Sequence, residues 1–267
     1  MAMLTAASPA AFPAPPASRA EALQALAGPD AAARAEAVAW LANRGTMADA
    51  PLLHQRLRDE SSLVRGYAEQ GLWLLWGRSG DAAIDREMAR GTELMQAGEL
   101  AEAIAVFSGV IRARPDFAEG WNRRATAHFL AGELPRSLAD CAEVLRRNPQ
   151  HFGALSGLGQ VHAQLQDYQE ALGWFRRALA VNPNMLGVEF QIKQIEGMLK
   201  GKPPGQRKTQ YRATPAATVP SRLEVRAATA KATAIAGSAG PATEGAAWPA
   251  GISTSMAVSA ASTAIGT

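Results

Sequence analysis

Small and apolar residues recur with a fixed period of 34 in the middle of the chain. Three prolines mark the period, at Pro115, Pro149 and Pro183, and they divide this stretch into the blocks 84–117, 118–151 and 152–185. Within each block the apolar positions follow helical spacing, and proline ends the second helix because a helix cannot run through it. The pattern therefore predicts three helix-turn-helix units of equal length, since a repeat of this period indicates stacked units.

Equivalent positions of the three blocks also carry similar side chains. The small position of the second helix is Ala103, Ser137 or Ala171. Four residues later stand Phe107, Cys141 and Phe175, and Trp121 takes the first large position of the second block. This resembles the tetratricopeptide (TPR) pattern W-x2-L-G-x2-Y…A-x3-F…P. The resemblance implies an all-α fold, an α-solenoid of three repeats at 84–117, 118–151 and 152–185.

Two features depart from the family pattern. Arg90 and Arg124 stand where the family has leucine, so we expect looser packing of the first helices of repeats one and two. The turn between the helices contains glycine in the first two repeats, whereas Gln-Asp-Tyr at 166–168 replaces it in the third. After the repeats, 186–200 reads as a capping helix, apolar toward the stack and polar outward.

The region before the repeats is also helical but lacks the 34-residue register. Residues 19–80 contain predicted helices at 34–43, 50–57 and 59–72. The last resembles the second helix of a HEAT-like repeat, on Val64, Arg65, Ala68 and Leu72. The resemblance implies that the α-solenoid begins with a HEAT-like helical segment.

The two ends differ in composition from the rest. Residues 1–18 are rich in Ala and Pro, and 201–267 consist mainly of Ala, Thr, Ser, Gly and Pro, so we expect both termini to be disordered. Residues 1–199 hold 19 basic and 22 acidic residues, whereas 200–267 hold 8 and 2, so the basic character belongs to the tail. This argues against specific nucleic-acid binding by the folded part.

The sequence contains no stretch that would span a membrane. The first 18 residues lack a basic start and an unbroken apolar run, so we expect a cytoplasmic protein. The alternative is a periplasmic or exported protein, in which 1–18 would be the remnant of an export signal whose true start lies upstream.

Candidate chemistry is sparse. His128 and His162 both take the position that is tyrosine in the family, which indicates core side chains rather than metal ligands. Cys141, as the single cysteine, excludes an intramolecular disulfide and takes a buried phenylalanine position. Phosphate-binding loops, nucleophile elbows and metalloprotease motifs are absent from the sequence. We therefore predict no catalytic residues, no metal and no cofactor, and a protein that is not an enzyme.

The family resemblance also implies where a ligand would bind. In a TPR stack the first helices line a concave groove, through the second, fifth, sixth, ninth, twelfth and thirteenth positions of each repeat. Carried over by register, these positions hold polar and apolar residues in mixture. The candidate site residues among them are Met88, Thr92, Met95, Glu119, Asn122, Arg123, Thr126, Phe129, Ser156 and Gln160.

These features favour a non-catalytic scaffold that binds another protein. Of the basic and amide side chains that family members use to grip a C-terminal carboxylate, only Asn122 and Arg123 have counterparts. The predicted ligand is therefore a helix or an extended peptide laid in the groove. The alternative is a binder of anionic surfaces or nucleic acid that acts through the basic tail.

Overall fold

The described part of the chain is entirely helical, as the repeat pattern predicted. The structure is a computed structural model that describes residues 13–200. The chain divides into two compact units at Trp76 and Gly77. The expected disorder of 201–267 lies outside the described residues, as does that of 1–12. No helix among the described residues is long and apolar enough to cross a bilayer.

The first unit is formed by four α-helices and one 3₁₀ turn. The helices are α1 (Arg19–Leu26), α2 (Ala31–Arg44), α3 (Ala50–Arg56) and α4 (Ser62–Gly77), and the turn is Met47–Asp49. The three helices predicted here are present, with boundaries shifted by up to five residues. The likeness to a HEAT repeat stays a prediction.

A buried ion pair joins the loops of the first unit. Arg34 of α2 donates to both carboxylate oxygens of Asp59, at 3.0 and 2.8 Å, and to the carbonyl oxygens of Gly28 and Pro29. Asp59 also accepts from the backbone N–H of Ser61, next to the start of α4. Both charges are thus hydrogen-bonded, which a buried pair requires to offset the loss of hydration.

The second unit contains the three predicted hairpins and one further helix. The helices are α5 (Ala82–Gln96), α6 (Leu100–Ala113), α7 (Ala118–Leu130), α8 (Leu134–Arg147), α9 (Phe152–Gln164), α10 (Tyr168–Val181) and α11 (Leu186–Lys200). The second helices begin 34 residues apart, at Leu100, Leu134 and Tyr168, and each ends two residues before its proline.

The hairpins are held together by a size match between facing residues. A Cβ at Gly91 would lie 2.6 Å from the ring of Phe107, and one at Gly159 would lie 2.4 Å from the ring of Phe175. The glycines therefore leave room for the rings where the two helices cross.

The turns between the helices of each hairpin share one geometry. Gly98 and Gly132 have φ values of 80° and 75°, and Gln166 takes the same left-handed conformation with φ 59°. In all three turns the next N–H donates across the turn, to the carbonyl of Leu94, His128 or His162. The third repeat thus keeps the turn without the glycine that usually supplies it.

The helix α11 has the predicted boundaries, and Glu189 and Lys193 of its polar face are exposed as expected. Val188 and Ile195 are buried, whereas Leu186 and Phe190 are 76% and 55% exposed and Met198 is also exposed. The helix therefore buries one apolar stripe and leaves a second one open to solvent.

The candidate groove on the first helices

The ten candidate site residues lie on the first helices α5, α7 and α9, but most of their side chains are buried. Thr92, Arg123 and Phe129 are half-buried. The other seven have less than 9% of their surface exposed. Those seven are Met88, Met95, Glu119, Asn122, Thr126, Ser156 and Gln160.

Met88 and Met95 are core residues of the first hairpin rather than members of an open lining. Both belong to a hydrophobic cluster that contains Ile84, Phe107 and Val110. Their spacing of seven places them on one face of α5, and the structure shows that this face packs against α6. The ninth position between them, Thr92, donates its hydroxyl to the carbonyl of Met88 and stays half-buried.

A polar cluster forms where the start of α9 meets the first turn of α7. The side chain of Glu119 is 1% exposed, and its Oε2 accepts from Asn122 at 3.1 Å. The same oxygen lies 3.2 Å from His151 Nε2. Arg123 Nε lies 2.8 Å from Oε1 of Glu119. The two groups form an ion pair without the geometry of a hydrogen bond. The candidates Glu119, Asn122 and Arg123 are therefore brought together.

Glu119 is held in its ionised form. Burial alone would raise the pKa of this carboxyl, but the charge of Arg123 and the hydrogen bonds from His151 and Asn122 outweigh it. The pKa of Glu119 is accordingly below its usual range. The cluster thus presents a fixed, largely compensated charge rather than a free carboxylate.

His151 is a part of this cluster that the sequence did not single out. It precedes α9, and its Nδ1 accepts from the backbone N–H of Ala154, which caps the helix. Since Nδ1 is the acceptor, Nε2 carries the proton and donates it to Glu119. The ring therefore links the start of repeat three to repeat two. The available signal was a histidine at the last position of the second block, directly before the helix start.

The site residues of repeat three have a different setting. Every residue of α9 from Phe152 to His162 is buried, including Ser156 and Gln160. The hydroxyl of Ser156 donates to the carbonyl of Gly153. The Nε2 of Gln160 is buried and has no hydrogen-bond partner among the described residues.

Arg124 does not loosen its repeat as the sequence suggested. Its guanidinium donates to both oxygens of Asp140 at 2.8 Å and to the hydroxyl of Ser108 at 3.0 Å. It therefore links α7 to α8 and to α6 of the preceding repeat, which leucine could not do. Arg90, in contrast, is largely exposed, and within residues 13–200 its ion pair is with Glu87.

Cys141 is a buried thiol, and the acidic and histidine side chains of the described part form no metal-binding group. Burial raises the pKa of the Cys141 thiol to about 12, so it stays protonated and unreactive. Among residues 13–200, no group of three or more His, Cys, Asp and Glu side chains is arranged to hold a metal ion.

The repeats are similar to a known family and to several known proteins. The family model described as tetratricopeptide repeat matches residues 88–152 and 136–185. A TPR repeat-containing protein of Rhizobium etli is 32% identical over 128 residues, which are 48% of this chain and 63% of that protein. Hsp70-Hsp90 organizing protein 1 of Glycine max is 24% identical over 121 residues, 44% of this chain and 21% of that protein.

Solved structures are similar as well, among them a chain described as the first TPR of Spaghetti (RPAP3) bound to the HSP90 peptide SRMEEVD. It is 23% identical, with a TM-score of 0.42, and the match covers 44% of this chain and 93% of that one. The chain thus spans less than two thirds of the length of the curated relatives named above.

Proposed function

Because residues 88–185 are tetratricopeptide repeats, we propose that this protein is a non-catalytic scaffold that binds a segment of another protein on its first helices. The ligand is a helix or an extended peptide, and it lies along α5 and α7 toward α9. The polar cluster of Glu119, Asn122, Arg123 and His151 is the observation that carries this proposal.

The cluster supports peptide binding because its charges are fixed before any ligand arrives. Side chains that are already held by hydrogen bonds lose little freedom on binding, which favours affinity. Half-buried Phe129 and exposed Leu130 lie about two to three turns further along α7 and supply an apolar surface on the same helix. A mixture of a few fixed polar groups and aromatic area is typical of peptide-binding surfaces.

The ligand does not need a free C-terminal carboxylate. The name of the similar Hsp70-Hsp90 organizing protein 1 suggests Hsp70 and Hsp90 as candidate partners. However, Arg123 already pairs with Glu119, and Asn122 donates to the same carboxylate. The two side chains that resemble a carboxylate clamp are thus engaged within the protein, which favours an internal segment or a helix as the ligand.

A bulky substitution at Ala89 tests this proposal. Ala89 is exposed on α5 at the sixth position of repeat one, so Ala89→Arg obstructs the groove without entering the core. Ala105→Arg, at an exposed position of the second helix α6, is the matched control because both changes replace alanine in a helix. Tagged full-length chains would be used for affinity capture, with quantification of every co-purified protein.

We expect Ala89→Arg to lose the specific partner and Ala105→Arg to keep it. Peptides from that partner should then bind the parent chain in calorimetry with a dissociation constant of about 1 µM, roughly −8 kcal/mol. Equal capture by both variants would show that the ligand does not lie on the first helices. Loss of capture on removal of 201–267 would instead support binding through the basic tail.

A further inference from the structure

Exposed apolar side chains are concentrated on α11. Among residues 13–200 seven large apolar side chains are exposed, and three of the seven lie on this one helix. They are Leu186, Phe190 and Met198, with 76%, 55% and 38% of their surface exposed. Their spacing of four and eight places them on the side of the helix away from the buried Val188 and Ile195. Adjacent exposed apolar side chains indicate a contact surface, whereas isolated ones are common on any protein.

A glycine on the same face has no packing role within the described part of its own chain. Gly197 is exposed, and nothing among residues 13–200 lies within 4 Å of a Cβ built at this position. Glycine in a helix costs up to about 1 kcal/mol relative to alanine, because it loses more backbone freedom on folding. The missing side chain would, however, let a second helix approach the backbone closely.

The charged residues of α11 alternate in sign along one edge of this face. In chain order they are Glu189, Lys193, Glu196 and Lys200, at intervals of four, three and four residues. This spacing keeps all four on one side of the helix, next to Phe190. The other edge of the face contains no acidic or basic residue.

These charges are available for contacts with another molecule. Within residues 13–200, Glu189, Lys193 and Lys200 take part in no ion pair, although intervals of four would allow pairs along the helix. Glu196 pairs with Arg176 of α10 at 2.7 Å, and its side chain stays 38% exposed. A carboxylate accepts hydrogen bonds at several positions, so this pair does not prevent a further contact.

The order of the charges is complementary to itself when the helix is reversed. In an antiparallel pair of two α11 helices, related by a twofold axis near Gln194, the charged edges of both copies lie on the same side. Glu189 then faces Lys200 of the second copy, and in the same register Lys193 faces Glu196 of the second copy. A parallel pair would instead place each charged edge against an uncharged one.

The apolar residues meet in the same register. Since a helix rises 1.5 Å per residue, Phe190 lies within about 3 Å, along the helix axis, of Gly197 and Met198 of the second copy. The ring of Phe190 then lies over the backbone of that glycine, and the side chain of Met198 flanks it. One arrangement of two helices therefore accommodates both the charges and the apolar side chains.

We propose that α11 binds a second copy of this chain as an antiparallel helix pair. The exposed apolar side chains of one helix form a small interface, so the dimer is weak and reversible. The pair also brings together two sets of first helices, so a ligand with two matching segments would bind with avidity. That consequence, unlike the dimer itself, rests on the proposed function.

Sedimentation velocity of the full-length chain, from about 1 µM to about 0.5 mM, tests the proposal because a weak interface associates within this range. We expect a monomer that converts reversibly to a dimer. Phe190→Asp should weaken the association about tenfold or more, since it removes the central apolar contact. The matched control Leu74→Asp, which replaces a 45% exposed apolar residue on α4, should leave the association unchanged. Far-UV circular dichroism checks that both variants keep their helical content.

An exchange of charges tests the antiparallel register at low ionic strength. Glu189→Lys and Lys200→Glu each place like charges opposite each other at both ends of the pair. Each variant alone should therefore associate about fivefold more weakly than the parent chain. In an equimolar mixture of the two variants, the heterodimer has opposite charges at both ends, so association should return to the parent level.

Three outcomes would each overturn the proposal. They are a parent chain that stays monomeric up to about 0.5 mM, an unchanged dimer with Phe190→Asp, and a mixture that associates no more strongly than the single variants. A monomeric parent chain would leave another protein or the tail 201–267 as the occupant of this face of α11. None of these outcomes bears on the Ala89→Arg capture experiment, so the two proposals fail separately.

Discussion

At the scale of single residues, Gln166 shows how a turn is maintained at an energetic cost. Its φ of 59° is in the left-handed region, where glycine stands in the first two repeats. A residue with a Cβ costs about 1 kcal/mol or more in this conformation. The hydrogen bond from the N–H of Asp167 to the carbonyl of His162, which closes the hairpin, offsets this strain.

We expect Gln166→Gly to stabilise the protein by about 0.5–1 kcal/mol, since relief of the strain exceeds the extra entropy of glycine in the unfolded chain. Gly132→Gln should destabilise by a similar amount, because nothing lies within 4 Å of a Cβ there and only the backbone conformation matters. Urea unfolding of both variants measures the effect. A loss of stability with Gln166→Gly would mean that the side chain makes a compensating contact.

At the scale of the helix pair, the three hairpins fill the space where their two helices cross with two different combinations of side chains. Repeats one and three pair a glycine with a phenylalanine at the crossing, at Gly91 with Phe107 and at Gly159 with Phe175. Repeat two has Ala125 and Cys141 at the equivalent positions, and both are fully buried. A smaller residue on the second helix therefore allows a larger one on the first.

We expect Gly159→Ala to destabilise the protein by about 1–3 kcal/mol, because the new Cβ would lie 2.4 Å from the ring of Phe175. Gly173→Ala on α10 is the matched control. Nothing lies within 4 Å of a Cβ at Gly173, so the gain in helix propensity should stabilise by about 0.5–1 kcal/mol. Thermal unfolding of both variants gives the comparison.

The same argument applies in reverse to repeat two. Cys141→Phe should destabilise strongly in the presence of Ala125 and much less when combined with Ala125→Gly. The double-mutant cycle should give a favourable coupling of about 1 kcal/mol or more. Additive effects would contradict the proposed size match.

At the scale of the whole molecule, buried carboxylates determine the response to acid. In Asp59 and Glu119, burial works to raise the pKa, but Arg34 in the first case and Arg123 with His151 in the second hold it below the ordinary values of 3.8 and 4.5. The unfolded chain therefore binds these protons at higher pH than the folded chain does. Their contribution to stability is complete above about pH 5 and is lost as the pH falls through the lowered values.

We predict that the contribution of these two carboxyls to the free energy of unfolding is nearly constant from pH 7 to 5. The free energy of unfolding should fall steeply below pH 4. Asp59→Asn should reduce stability at pH 7 by about 3 kcal/mol, because it removes the buried charge partner of Arg34 and leaves only the exposed carboxylate of Glu60 paired with it. It should also flatten the acid limb of the profile. Urea unfolding between pH 7 and 2.5 checks both; parallel profiles for the parent and the variant would contradict the assignment to Asp59.

The sequence by itself determined the repeats, because a period of 34 with prolines at its ends reflects local rules of helix termination and hairpin packing. The second-helix starts at Leu100, Leu134 and Tyr168 follow from them. Only the tertiary structure decided which first-helix residues are open, because burial depends on neighbours distant in sequence. In the structure Met88 and Met95 lie in the core, and His151 contacts Glu119. Arg124 is hydrogen-bonded to Asp140 and Ser108.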